Sequence, residues 1–140
     1  MIESKGIVIA TIDFSDCIDE SISTNLGTLG RCEIKIYGNE GQIPHFHIKS
    51  RTTDKEICVC IFEPKYFNHN PKHTTLSRKE KNTLNEVLSD TYQYDKSKNL
   101  WKAIRDEWIQ ANNDHDYEHK KDAMKVDKPD YSKMTEDRHK

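Results

Sequence analysis

Three short runs between residues 31 and 62 alternate apolar with other side chains, and that period of two fixes how the middle of this chain folds. In "RCEIKIYG" (31–38), Cys32, Ile34 and Ile36 fall on one side, with Arg31, Glu33, Lys35 and Tyr37 on the other. "NEGQIP" then supplies turn chemistry, and "HFHIKS" (45–50) resumes the alternation, which predicts a hairpin with a loop longer than the tightest type. After a second turn at "RTTD", "KEICVCIFEP" (55–64) gives a further strand stopped by Pro64. Matching the apolar sets puts Ile34, Ile36, Phe46, Ile48, Ile57, Val59 and Ile61 against a core. The opposite face collects Glu33, Lys35, Tyr37, His45, His47, Lys49, Cys58 and Cys60, provided no bulge shifts the register.

The flanking segments complete an α+β pattern. "KGIVIATIDF" (5–14) is rich in β-branched residues and reads as a first strand, and the polar stretch 15–30 reads as a loop. Beyond the connector "KYFNHNPKHTTL", Ser77 and Glu80 form a capping box, and Leu84, Val87, Leu88 and Tyr92 line one side of a helix. A second helix over about 98–112 carries Leu100, Trp101, Ile104, Trp108 and Ile109 on one stripe. The expected fold is a small antiparallel sheet of about four strands with two C-terminal helices packed on one face. From Asn113 the periodicity stops, so a single domain over 1–112 is expected to be followed by a charged, disordered tail over 113–140.

Composition excludes several classes. The chain has 140 residues, of which 34% are hydrophobic and 33% charged, with a formal net charge of −2, so it is no general electrostatic magnet for nucleic acid or anionic membrane. Local basic patches remain open to it. No stretch approaches the roughly 20 apolar residues of a membrane helix. The start "MIESKGIVIATIDFSDC" lacks the basic beginning and long apolar segment of a secretory signal, so cytoplasm is expected. In a reducing compartment the four cysteines, Cys17, Cys32, Cys58 and Cys60, read as free buried thiols; they form no Cys-x-x-Cys pair.

The residues with most chemical capacity are His45 and His47. Two positions apart on a strand, they lie on one face roughly 6.5–7 Å apart along the chain. They could converge on a divalent transition metal, with Glu33, Cys58, Cys60, His69 or His73 as further ligands. They could equally act without metal as acid and base, with Lys35 or Lys49 holding a phosphate and Tyr37 nearby. The plain alternative is that the pair sits on the wet face of a sheet beside Lys and Glu. The pairs His69/His73 and His115/His119 fall in a Pro-containing connector and in the expected tail, where they read as surface polarity. Trp101 and Trp108 read as core, and there is no phosphate-cradling glycine loop and no nucleophile elbow.

The stretch "IKIYGNEGQIPHFHI", followed by "ICVCIFEPKYF" and a helix ending near "LWKAIRDEW", resembles a group of small bacterial proteins of unknown function. Their signature is an aliphatic strand, an acidic turn, Pro-Pro-His-Phe-His-Val, a second strand and two helices, the last with a Trp. Pro44, His45, Phe46 and His47 match it directly, and Trp108 matches the late Trp. The Asp-His pair usual before the prolines is replaced here by Asn39-Glu40-Gly41-Gln42-Ile43, so one histidine and one proline of the pattern are missing. Some members are encoded beside a partner in arrangements resembling toxin–antitoxin or mobile-element modules. The resemblance therefore implies a small accessory protein acting on a protein partner encoded nearby or on nucleic acid. The alternative from the residues themselves is a His-dependent phosphodiesterase or ribonuclease, metal-free or metal-dependent, working at the His45/His47 face.

Overall fold

The computed structural model describes residues 6–15, 17, 29–38, 44–67, 75–112 and 126–139, with only the backbone described for 135–139. Most of the expected loop 15–30, the turn 39–43, and His69, His73, His115 and His119 lie outside the described residues. The fold is α+β. Strands β1 (Ile7–Asp13), β2 (Arg31–Ile36), β3 (His45–Ser50), β4 (Glu56–Cys60) and β5 (Lys65–Phe67) form an antiparallel sheet in chain order. Helix α1 spans Arg78–Ser89; a short hairpin, β6 (Thr91–Tyr92) and β7 (Asp95–Asn99), then leads into helix α2, Leu100–Ala111. A final strand, β8 (Thr135–His139), adds to the sheet parallel to β5.

The face assignment read from the alternation holds in the register. Ile34 pairs with Ile48 and Ile48 with Ile57, while Phe46 pairs with Val59, all of them fully buried. The other set pairs just as consistently: Lys35 with His47, His47 with Cys58, and His45 with Cys60. In β1 the alternation slips at a bulge between Val8 and Ala10, which lets both Ile9 and Ile12 reach the core and turns Ile7 and Val8 outward.

Helix α1 begins where the sequence says; α2 begins at Leu100 rather than about 98, because Lys98 and Asn99 belong to β7, and Tyr92, expected on the first helix, lies in β6. Ser77 Oγ accepts from Glu80 N at 3.2 Å, and Glu80 Oε1 accepts from Ser77 N at 2.8 Å. The second Glu80 oxygen accepts from Leu29 N at 3.4 Å, which ties the helix start to the approach to β2 and explains why a glutamate is buried there. In α2 the stripe of Leu100, Trp101, Ile104 and Trp108 is buried. Trp101 Nε1 donates to Ile61 O at 2.9 Å, so the helix is anchored to the backbone just beyond β4. At its other end, Asn112 Nδ2 donates to Trp108 O and to Tyr37 O, at 2.9 and 3.2 Å. Gly38 lets this approach happen: a Cβ there would lie 3.1 Å from Ala111 O.

The segment expected as a disordered tail from Asn113 divides. Residues 113–125 lie outside the described residues, but 126–139 are built onto the domain. Tyr131 is fully buried, and its hydroxyl lies within hydrogen-bonding distance of Cys60 O (2.9 Å) and Ile61 O (2.8 Å). Burial holds its phenol well above the ordinary tyrosine pKa. Asn85 Oδ1 accepts from Tyr131 N, and Lys81 Nζ donates to Met134 O, so α1 holds this segment from its own polar side. Two buried side chains, Tyr131 and Met134, help dock a stretch whose composition is otherwise that of a solvated tail, beside these hydrogen bonds and the pairing of β8 with β5.

Candidate functional site

His45 and His47 do not face water. They retain 1% and 3% of their accessible surface, so the reading of a wet sheet face is corrected: this sheet is covered on both sides at β3. Cys58 and Cys60, opposite them on β4, are buried as well. Aromatic rings supply part of the cover. The His45 ring lies 4.4 Å from that of Phe67 on β5, and Tyr37 sets its ring at 77° to His47 with centroids 4.7 Å apart. Tyr37 in turn packs on Gly6, where a Cβ would fall 2.7 Å from its Cε1, so a side chain at that position would push the ring away.

Inside this layer three donor groups converge. His47 Nδ1 lies 2.5 Å from Glu56 Oε1 and 3.3 Å from Cys58 Sγ. Cys58 is directly across the ladder from His47, and Glu56, two residues earlier on the same strand, is its diagonal neighbour. One ligand-type atom from each residue falls within 4.8 Å of the others. The imidazole N–H donates to the carboxylate, a charge-assisted bond that fixes the ring. Glu56 keeps about a sixth of its side chain exposed (16%), whereas His47 keeps 4%, so the cluster reaches the surface mainly at Glu56.

The remaining predicted residues fall at distinct places. The His45 and His47 rings are 5.2 Å apart and tilted, adjacent within one layer. Lys35 is half-buried, with its ammonium 3.8 Å from Glu33 Oε1. Lys49 is exposed and lies in register with Glu33 and Glu56, at the rim of the layer. The structure thus gathers His45, His47 and Tyr37, and it leaves Lys49 facing solvent. Of the further ligands considered, Cys58 joins His47 and Glu33 does not. Cys60 stands opposite His45 as an inert thiol, pushed up to about 12 by burial, then by the Glu63 carboxylate, with a smaller push from Cys58. Sequence reasoning missed Glu56 as a donor, although its spacing of two from Cys58 placed it on this face.

A second feature lies at the far edge of the sheet. Among the described residues β1 pairs only with β2, and Ile7 and Val8 are each 45% exposed beside it. Between β1 and the β6–β7 hairpin runs a groove of about 360 Å³, lined by Val8, Ala10, Val87, Tyr92, Tyr94 and Leu100 among others, with Asp90 at its side. Tyr94, 75% exposed, stands on its rim, its ring 5.5 Å from that of Tyr92.

No helix among the described residues is long and apolar enough to cross a membrane. Comparison with family models, with curated proteins and with solved structures finds no match for this chain.

Proposed function

We propose that this chain is a binding module, a small cytoplasmic accessory protein of a bacterial or mobile-element system, and that its partner is a protein encoded nearby. The observation that carries this reading is the apolar edge of β1 above the groove. An edge strand presents unpaired backbone donors and acceptors, and natural sheets usually blunt such edges with charge or proline. Here the edge offers Ile7 and Val8 instead, flanked by a concavity with two tyrosines. An extended segment of the partner would add to β1 through main-chain hydrogen bonds and place alternate side chains in the groove. Net charge of −2 and Asp90 beside the groove disfavour nucleic acid at this face.

The phosphodiesterase reading is not favoured. A general acid and base must reach the substrate's reacting atoms at hydrogen-bond distance. Both imidazoles are buried, and His47 is already held by Glu56 and Cys58.

The test uses a photo-cross-linking residue at Tyr94 in a chain expressed from its own locus together with its neighbouring genes. A discrete adduct with one neighbouring protein is expected, and Val8→Glu should abolish it while changing the thermal midpoint little, because Val8 is nearly half exposed and lies outside the buried core. No protein adduct, an adduct with nucleic acid, or an adduct indifferent to Val8→Glu would overturn the reading.

A further inference from the structure

We propose that His47, Glu56 and Cys58 form a binding site for a zinc-class divalent transition ion. The three residues offer one imidazole nitrogen, one carboxylate oxygen and one sulfur, a borderline-soft donor set that suits zinc or cobalt and disfavours magnesium and calcium. His47 projects from β3 and Glu56 and Cys58 from β4, so the backbones of all three ligands are fixed by one hydrogen-bonded ladder. Tyr37 packs edge-on against the His47 ring and holds its plane.

The donor separations lie near those around a bound ion, with the carboxylate oxygen and the sulfur within 4.8 Å of each other. Tetrahedral zinc with bonds of about 2.0–2.3 Å sets its donors roughly 3.3–3.8 Å apart. The Nδ1 to Sγ separation of 3.3 Å is about 0.2 Å short of the roughly 3.5 Å that such a pair needs. The Nδ1 to Oε1 separation of 2.5 Å is that of a hydrogen bond and must open by about 0.8 Å. Glu56 is the most exposed of the three ligands, so it is the side chain with most room to swing, and the rim beside it would give an ion its way in.

Charge supports the same assignment. A divalent ion would be neutralised by one thiolate and one carboxylate, which lessens the cost of burying charge. Binding at Nδ1 would shift the imidazole proton shared with Glu56 to Nε2, keeping the ring neutral, and would release the thiol proton of Cys58. Three protein ligands leave a fourth position for water or an exogenous donor. This site lies in the layer covering β3 and β4, apart from the β1 groove, so it stands or falls independently of the partner-binding reading.

The experiment is a cobalt(II) titration of untagged, chelator-stripped full-length protein, followed by absorption spectroscopy and zinc competition. The expected result is saturation at one equivalent, with a thiolate-to-cobalt charge-transfer band and d–d bands of tetrahedral strength, displaced by zinc and not by magnesium. Cys58→Ser should remove the charge-transfer band. Glu56→Gln, a change at a partly exposed position that should preserve the fold, should weaken cobalt binding at least about tenfold. Absence of the charge-transfer band in the wild type would overturn the assignment, as would its persistence in a folded Cys58→Ser protein. Should Cys58→Ser fail to fold, unchanged cobalt affinity in Glu56→Gln would overturn it by itself.

Discussion

A chain ending at residue 125 is expected to unfold at a much lower urea concentration than the full chain, or not to fold at all. The deleted segment contains Tyr131 and Met134, both buried, although nearly every other residue there is polar. Losing a buried aromatic ring costs about 3–5 kcal/mol, against a total stability of about 5–15 kcal/mol for a domain of this kind. Removing Tyr131 also strips a hydrogen-bond donor from the strand-end carbonyls of Cys60 and Ile61. Equilibrium denaturation followed by circular dichroism measures the shift. Tyr131→Phe separates the two contributions, because it keeps the ring and should lose only about 1 kcal/mol. Identical midpoints for the full and shortened chains would show that the segment adds nothing to the core.

Trp101→Ala is expected to be comparably damaging, for a different reason. The indole is fully buried, meets Phe62 edge-on with ring centroids 6.5 Å apart, and carries Arg105 over its face at 5.3 Å. Its Nε1–H bond to Ile61 O joins α2 to the sheet. Truncation leaves a large cavity between helix and sheet and should cost about 3–5 kcal/mol. Trp101→Phe should recover much of the packing but not the hydrogen bond, and should fall between wild type and alanine. Thermal and urea midpoints of the three proteins give that order directly. An alanine variant as stable as wild type would mean that α2 is not anchored through this ring.

The parts of the fold set by local pattern were legible before any coordinates. Alternation in 31–62 assigned nearly all the paired residues of β2, β3 and β4 to their faces, Ser50 aside, because one register slip would exchange whole faces. Capping chemistry at Ser77 and Glu80 placed the start of α1. Features that depend on distant parts of the chain were not legible. A lone tyrosine among charges, at 131, carries no period and so gave no sign of docking. The hairpin β6–β7 lies in "TYQYDKSKN", where polar strand residues resemble a helix end. The same limit applied to the candidate site. Spacing placed His45 and His47 side by side, but alternation reports only which side is more apolar, not whether the other side is wet. Glu56 entered the site through a diagonal contact across the ladder, which needs the register and not the sequence alone.

The account turns on the imidazoles of His45 and His47 lying inside the protein, out of reach of a substrate. Deuterium exchange at the imidazole C2 position, read by mass spectrometry on the peptide containing both residues, tests this most directly. Exchange in the native protein should be much slower than in the same protein unfolded in urea, in keeping with residual exposures of 1% and 3%. Equal rates in the two states would place the pair at an open surface, contradict the closed layer, and return the histidine face to consideration as an active site.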